Sequence, residues 1–275
     1  MRIGDRVLDF PTVMGVLNVT PDSFSDGGKF LGRDAALRQA EALLAAGAGI
    51  LDIGGESTRP GARPVSAAQE LERVIPLLEA LQGLSDVPLS VDTSKPEVMR
   101  SAVAAGASMI NDVRALREEG ALETVAELGV SVCLMHMLGE PRSMQHKPVY
   151  KDVTQEVAAF LGERLECCHN VGIEADRVLL DPGFGFGKTH AHNIELLANL
   201  RALRRLGRPL LVGLSRKSTL GALTGRDPAD RVAASVAAAV IAAMNGADII
   251  RAHDVAETVD ALRVVAACMH SGSSL

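Results

Sequence analysis

Apolar runs of strand length recur along the chain, and segments with a helical spacing of apolar residues separate them. Eight runs have this character: TVMGVLNV, ILDIGG, PLSVDT, MINDV, SVCLMH, RVLLDPG, PLLVGLS and DIIRAHD. Their hydrophobicity is continuous rather than alternating, which is what strands covered on both faces require. The pattern therefore predicts parallel strands packed under helices.

The segments between the runs have the period of an amphipathic helix. Apolar residues repeat at steps of three and four in two clear cases: Leu71, Val74, Ile75, Leu78 and Leu81, and then Val255, Val259, Leu262 and Ala266. Seven segments end in a glycine, which favours the C-terminus of a helix: Gly47, Gly83, Gly106, Gly129, Gly172, Gly207 and Gly246. Each glycine is followed within a few residues by the next apolar run, so the chain predicts eight strand–helix units.

Eight such units in 275 residues predict an α/β fold, a single (β/α)8 barrel of the TIM type formed by residues 1–275. The alternative is a doubly wound sheet, which normally uses fewer strands. Helix-to-strand connections are short, whereas several strand-to-helix connections are long: 20–33, 56–65, 137–151 and 216–230. In a barrel these long loops share the C-terminal face, where active sites are built.

Composition narrows the classes of function. The net charge of -6 provides no global basic field for nucleic acid, although a local basic pocket for a small anion remains open. The N-terminus lacks the apolar segment of a signal peptide, and no run of about 18 apolar residues could span a membrane. The four cysteines include an adjacent pair and no C-x-x-C, a pattern typical of buried thiols. We expect a cytoplasmic protein that binds neither nucleic acid nor membrane.

Polar side chains stand at the ends of all eight predicted strands. They are Asn18, Asp52, Glu56, Asp92, Asn111, His136, Asp181, Ser215, Lys217, Arg251 and His253. Burying each without a partner would cost about 1–3 kcal/mol, so we expect them to face a shared cavity that a ligand fills. The alternative, that a strand-end residue caps a helix or fixes a turn, is strongest for Asp52 and His136.

The set divides into two chemical groups. Asp92, Asn111 and Asp181 offer the acceptors and donors that suit the amide and amino edge of a purine-like or pterin-like ring, with Lys217 able to reach a ring carbonyl or nitrogen. The second group offers donors and cations for phosphate oxygens: Asn18, Ser57, Thr58, Arg59, Arg251 and His253.

Two motifs allow other interpretations. PGFGFGKT, residues 182–189, resembles a P-loop, but Pro182 stands where the first glycine is required. We expect its alternating glycines to turn the backbone sharply and let it approach a ligand. Lys217 could form a Schiff base, but it begins a polar and cationic loop, so a role in hydrogen bonding or charge is favoured over an amine of lowered pKa.

Eight motifs in order resemble one known family. MGVLNVTPDSFSDGG, GGESTRPGA, SVDTSKPEV, INDVRAL, CLMHM, LLDPGFGFGK, GLSRKS and IIRAHDV are similar to those of bacterial dihydropteroate synthases, from about residue 12 to about residue 265. The resemblance implies a transferase of folate synthesis, in which 4-aminobenzoate displaces diphosphate from hydroxymethyl-dihydropterin diphosphate.

The resemblance also assigns residues to roles. It implies a pterin site of Asp92, Asn111, Asp181 and Lys217 with apolar walls Val113, Met135 and Phe186. Diphosphate would lie on Asn18, Thr58, Arg251 and His253, with Mg²⁺ held partly by Asn18. The aminobenzoate site would use Phe24, Arg59, Pro60, Phe186, Lys217 and Ser218. In such enzymes diphosphate is thought to leave before the amine attacks, and Asp92 or Asp181 could then stabilise the pterin cation.

Two other functions are compatible with parts of the sequence, and the resemblance also points to a second copy of the chain as a partner. A pterin-binding domain of a corrinoid methyltransferase would share the barrel and the pterin contacts, but would not need STRPGA or Arg251 with His253. A non-catalytic pterin-binding paralogue is the other rival. A missing catalytic group would support it, and the motifs have no such gap. The resemblance also suggests a homodimer through the apolar segment 232–244.

Overall fold

Eight parallel strands form the centre of the fold. The computed structural model describes residues 1–4, 6–19, 28–57, 64–84, 86–139, 144 and 147–272. The strands of the large sheet are Thr12–Asn18 (β3), Ile50–Gly54 (β4), Leu89–Asp92 (β5), Met109–Asp112 (β6), Ser131–Met135 (β7), Val178–Asp181 (β8), Leu211–Val212 (β9) and Ile249–Ala252 (β10). Each of the eight predicted apolar runs contains one of them, so the strand prediction is confirmed.

The sheet closes on itself as a barrel. The strand order is β8-β7-β6-β5-β4-β3-β10-β9, and all pairs within it are parallel. Leu180 of β8 donates its backbone N–H to Pro209 O at 2.9 Å, and a parallel bridge joins Leu180 to Leu210 beside β9. The first and last strands are neighbours, as predicted, since Arg251 of β10 lies opposite Met14 of β3.

Helices cover the outside of the barrel. They are Gly28–Ala45 (α1), Ala67–Leu81 (α2), Pro96–Ala104 (α3), Ala121–Leu128 (α4), Val153–Asn170 (α5), His190–Ala198 (α6), Ser218–Thr224 (α7), Val232–Met244 (α8) and Val255–Gly272 (α9). Short 3₁₀ helices occur at Ala175–Arg177, Leu200–Leu206 and Pro228–Asp230. The predicted loop 216–230 is therefore partly helical.

Helix boundaries follow local signals in most places. Ser66 and Gln69 form a reciprocal capping box at the start of α2. Six of the seven predicted glycines adopt the left-handed conformation, but Gly83 does not, because α2 already ends at Leu81 and Gln82 occupies its cap. Within the described ranges no helix is long and apolar enough to cross a membrane.

A small hairpin closes the N-terminal end of the barrel. Arg2–Ile3 (β1) pairs antiparallel with Arg6–Val7 (β2). Ile3 is fully buried in a cluster with inward-facing residues of the barrel, among them Met14, Ile50, Met109, Cys133, Leu179, Leu211 and Ile249. With this end filled by apolar side chains, the opposite, C-terminal end is where a ligand can enter.

Candidate active site

The polar side chains of the site stand two residues after the apolar layer of the barrel interior. Inward positions alternate along a strand, so the side chain two residues after an inward apolar one also points into the interior, and on four strands that second side chain is polar. The pairs are Ile50 and Asp52, Met109 and Asn111, Leu179 and Asp181, and Ile249 and Arg251. The carboxyl ends of the strands therefore carry a polar layer above an apolar one, as the sequence predicts.

Asp52 is the centre of this polar layer. Its carboxylate is fully buried and accepts hydrogen bonds from Arg251 Nε at 2.7 Å, Ser90 Oγ at 2.7 Å and Asn111 Nδ2 at 3.1 Å. A second nitrogen of Arg251 lies 3.4 Å from Asp92 Oδ2. Asp52 therefore caps no helix, and it positions one residue from each of the two predicted chemical groups.

The remaining carboxylates are strongly affected by burial. Burial, reinforced by the charge of Asp52 and opposed by Arg251, raises the pKa of Asp92 to about 8. Burial also raises the pKa of Asp181, against the charge of Lys217 and a hydrogen bond from Gly183 N at 2.7 Å. Both carboxyls therefore hold a proton more readily than an exposed aspartate does, and the hypothesis that Asp92 or Asp181 stabilises a pterin cation stays a prediction.

Lys217 occupies a different environment from the one its sequence neighbours indicate. Its ammonium donates to Phe184 O and lies 4.9 Å from the centroid of the Phe186 ring. Burial lowers its pKa to about 8, although the charge of Asp181 opposes that change. The argument that a polar loop leaves this amine with an ordinary pKa was therefore wrong, because tertiary burial outweighs the local composition.

The glycine-rich turn after β8 packs closely against the backbone of the loop after β7. Gly183, Gly185 and Gly187 all have positive φ, so the predicted sharp turn is confirmed. A Cβ on Gly183 would lie 1.8 Å from His136 O, and one on Gly187 would lie 2.5 Å from Leu138 O. The predicted close approach is thus made to the backbone of the preceding loop, and Gly185 alone of the three faces Lys217.

The two phenylalanines of that turn point to different places. Phe184 is fully buried in the main core. Phe186 is partly buried and packs at the mouth of the barrel with Val113 and Met135, the other two predicted apolar walls. Met137 and Met144 complete this cluster, and the sequence analysis did not single them out.

Only some of the residues predicted to bind phosphate are among the described residues. His253 Nδ1 lies 3.0 Å from Ser215 Oγ, and Asn18 ends β3 beside Gly54. Ser218, predicted at the edge of the site, is exposed at the start of α7. Four predicted residues lie outside the described residues: Phe24, Thr58, Arg59 and Pro60.

Two predicted strand-end residues turn away from the shared cavity. Glu56 pairs with Lys95 at 2.5 Å and accepts from Val65 N at 3.1 Å, so it fixes the end of the second loop. His136 is buried and contacts Lys188 Nζ through Nδ1 at 2.8 Å. The expectation of a single shared cavity therefore fails for these two residues, whose partners come from distant parts of the chain.

The described residues hold no cluster of three or more His, Cys, Asp or Glu side chains arranged to bind a metal ion. Mg²⁺ usually takes one or two protein ligands and completes its shell with water and substrate phosphates. The Asn18 side-chain oxygen at the end of β3 is a hard donor of that kind. The residues present thus suit a metal ion that arrives with a phosphorylated substrate.

Comparison with known proteins decides the family. Residues 14–253 match the model of the pterin binding enzymes. The dihydropteroate synthase of Escherichia coli K12 is 54% identical over 262 residues, which cover 95% of this chain and 93% of that protein. The chain belongs to the pterin binding enzyme family, among the dihydropteroate synthases.

Solved structures of that family superpose closely on the chain. The Yersinia pestis dihydropteroate synthase in a sulfonamide drug complex is 53% identical, with a TM-score of 0.93 and coverage of 98% of this chain and 99% of that one. The Xanthomonas albilineans enzyme with 4-aminobenzoic acid is 56% identical, with a TM-score of 0.91 and 96% of both chains covered. The same enzyme in complex with 7,8-dihydropteroate is 54% identical, has a TM-score of 0.88 and covers 96% and 95%.

The role of Asp52 can be tested through stability. Asp52→Ala would leave the largely buried Arg251 with only its longer contact to Asp92 and would remove the acceptor of Ser90 and Asn111, which together should cost about 3–5 kcal/mol in the free energy of unfolding. Urea denaturation measures this loss. Glu127→Ala is the matched control, because it breaks an exposed pair with Arg100 and should cost no more than about 1 kcal/mol. Equal effects of the two variants would contradict the role given to Asp52.

Proposed function

We propose that the chain is a dihydropteroate synthase, which condenses 6-hydroxymethyl-7,8-dihydropterin diphosphate with 4-aminobenzoate to give 7,8-dihydropteroate and diphosphate. The observation that carries this proposal is the contact of Asp52 with both Asn111 and Arg251. It joins an acidic and amide surface suited to a pterin to a cationic surface suited to diphosphate. A methyltransferase domain would need only the first surface, and the relatives are named dihydropteroate synthases, so that alternative is not favoured.

The pterin half of the site recognises the ring through complementary groups. Asn111 offers both a donor and an acceptor, while Asp92 and Asp181 offer carboxylate oxygens for the amino and ring N–H groups. Lys217 donates to a ring nitrogen or carbonyl. Val113, Met135 and Phe186 provide the apolar walls against which the flat ring lies.

The diphosphate half stabilises the leaving group. Arg251 and His253 supply donors to the phosphate oxygens, with Thr58 completing the set, so negative charge that develops as the C–O bond breaks meets fixed donors. Asn18 would help to hold Mg²⁺, which neutralises the charge of the departing diphosphate when bound.

A cation left on the pterin methylene would need a negative neighbour. Asp181 lies beside Lys217 and Asp92 beside Arg251. Pterin binding favours ionised Asp92, because the ring N–H groups donate to the charged form. The aromatic amine of 4-aminobenzoate is already nucleophilic, so the mechanism demands no strong general base.

The aminobenzoate would lie between two long loops. Phe24 and Pro60 would fold over its ring, and Arg59, Phe186, Lys217 and Ser218 would complete the site. Closure of these loops would exclude water from a cation that water would otherwise hydrolyse. Sulfonamide drugs would compete for the same place, in keeping with the complex of the Yersinia pestis enzyme.

We also propose a cytoplasmic location for the protein. The four cysteines are free thiols, and thiols persist in a reducing compartment.

Turnover tests the proposed reaction directly. With Mg²⁺, 4-aminobenzoate and the pterin diphosphate, we expect diphosphate and dihydropteroate to appear in equal amounts. Lys217→Ala should lower kcat/KM about 10- to 150-fold, since a hydrogen bond from a charged donor contributes roughly 1.5–3 kcal/mol. Lys151→Ala is the control, because Lys151 is exposed and near the same face. Tight pterin binding without diphosphate release would overturn the proposal and favour a binding protein or a methyltransferase domain.

Proton release tests the state of Asp92. Since the free carboxyl has a pKa of about 8 and the pterin prefers its ionised form, binding at pH 7 should release about one proton. Affinity for 6-hydroxymethylpterin should rise by up to about tenfold per pH unit from pH 6 and level off above pH 8. Calorimetry in buffers of different ionisation enthalpy measures the proton count. Asp92→Asn should remove the release while exposed Asp86→Asn keeps it, and a wild-type heat independent of the buffer would refute this account.

We propose further that the protein is a homodimer through α8 and α9. Ile241, Met244 and Val264 are 45%, 57% and 64% exposed on these two helices, which pack against each other. Joining two copies there would remove apolar surface from water. Sedimentation equilibrium should give twice the mass of 28.9 kDa, and Ile241→Glu should give monomers. Val7→Glu, at a site 77% exposed on the far hairpin, should leave the mass unchanged; a monomeric wild type would refute the proposal.

A further inference from the structure

Lys188 is a buried lysine that the proposed reaction has not used. It follows the glycine-rich turn 183–187 and is only 2% exposed. In sequence it belongs to the stretch that resembles a P-loop. Its amine, however, lies inside the protein and contacts the protein's own groups.

Three acceptors surround the Lys188 amine. They are His136 Nδ1 at 2.8 Å, Gly183 O at 2.9 Å and Phe186 O at 3.2 Å. In its protonated form the Lys188 amine has three N–H donors and no acceptor, which matches these three contacts, while burial lowers its pKa well below the usual value of a lysine and the charge of Asp181 opposes that change. Two of the three hold the backbone of the turn at both ends of the Phe184–Gly185 segment.

His136 is a neutral partner in this arrangement. Its ring packs edge-on against Phe160 with centroids 5.0 Å apart. Burial lowers the pKa of His136 to about 2, and the charge of Lys188 acts in the same direction. An uncharged imidazole accepts from Lys188 through Nδ1 when its proton lies on Nε2. His136 therefore joins the loop after β7 to the turn after β8.

The opposite side of the turn faces the substrate pocket. Phe184 O accepts from the Lys217 ammonium, and the Phe186 ring lies 4.9 Å from it. Lys188 thus contacts the turn on the side away from the proposed pterin site, while Lys217 contacts it on the side that faces this site. A shift of the turn would move the acceptor of Lys217 and the apolar wall of the pterin site together.

Two other side chains restrain the same backbone. Tyr150 donates its hydroxyl to Gly187 O at 2.8 Å, and Asn193 accepts from Gly185 N at 2.8 Å. Each makes a single contact with the turn, whereas Lys188 makes two and links them to His136. Asn193 has further bonds, but they go to Lys188 O, Thr189 O and Thr219 Oγ1 outside the turn 183–187, so Lys188 has the larger number of these side-chain bonds to the turn itself.

A methionine at position 188 would match the length of lysine and suit a buried position better. Burying an amine carries a desolvation cost, and removing it would leave Gly183 O and Phe186 O without this donor. Gly183 O would still accept from Phe186 N at 3.1 Å, so the carbonyl that an apolar residue would force the turn to satisfy in another way is Phe186 O. The amine thus fixes the conformation of the turn rather than simply filling space.

We propose that Lys188 is a positioning residue for the pterin half of the site, acting through the backbone of the turn 183–187 on Lys217 and Phe186. The proposal rests on the proposed function, because it assigns the pterin to this half. It predicts damage that is confined to the pterin half and does not reach the diphosphate half.

Lys188→Met and Lys188→Gln test this assignment by calorimetry with two probes, 6-hydroxymethylpterin and inorganic diphosphate with Mg²⁺. For Lys188→Met we expect pterin affinity to fall about 10- to 100-fold and kcat to fall about 100-fold, as misplacement by about 1 Å can cause. Diphosphate affinity should stay within about twofold. Lys188→Gln retains two donors and should recover part of the loss. Lys151→Met removes an exposed lysine charge and should change none of these values.

The outcomes separate the possible failures. Equal loss of both affinities, or unchanged pterin affinity in Lys188→Met, would overturn the positioning role. Failure of the wild type to bind the pterin would instead overturn the proposed function. If Lys188→Met does not fold, Lys188→Gln and Tyr150→Phe decide the question. Tyr150→Phe removes one restraint on the turn, so a smaller loss of the same selective kind supports the role, whereas loss of diphosphate affinity in these variants refutes it.

Discussion

The buried contact between Asp52 and Arg251 is the constraint on which the site depends. A carboxylate without solvent contact and a guanidinium that is 21% exposed meet in the barrel interior at 2.7 Å. Such pairs often contribute little net stability, because desolvation offsets the attraction, although loss of one partner is costly. In this barrel the Asp52–Arg251 pair fixes the orientation of the Arg251 side chain. Asp52 also holds Asn111, so one carboxylate positions Asn111 of the pterin half and Arg251 of the diphosphate half.

Most of the fold could be predicted because the barrel imposes a simple relation between sequence and space. Parallel strands end at one face, so polar residues at the ends of eight apolar runs must come close together. The hairpin of β1 and β2 could not be found in this way, since its four paired residues have too little pattern to predict a strand. Glu56 was expected at the shared cavity and His136 either there or fixing a turn, and the sequence could not decide because their partners, Lys95 and Lys188, lie 39 and 52 residues away.

Lys217 illustrates the physical limit of local reasoning. Its neighbours Ser215, Arg216 and Ser218 are polar, which suggests a solvated amine with an ordinary pKa. Arg216 instead has a φ of +60° and pairs with Asp254 at 2.5 Å, while the next side chain turns toward Phe184 and Phe186. Desolvation then depends on residues more than 30 positions away. No count of nearby polar residues could reveal it, although the glycine spacing of 183–187 did indicate a tight turn.

The balance of charge in the interior links recognition to chemistry. Among the described side chains, Asp52, Asp92 and Asp181 lie near Arg251 and Lys217, with Lys188 behind the turn. Arg251 contacts both Asp52 and Asp92. An anion that attracts the guanidinium therefore weakens the electrostatic stabilisation that Arg251 gives to ionised Asp92. A pterin that donates N–H groups to Asp92 stabilises the ionised carboxylate through hydrogen bonds instead. The two parts of one substrate therefore act in opposite directions on the same carboxyl, and the barrel holds both because Asp52 keeps Arg251 in place.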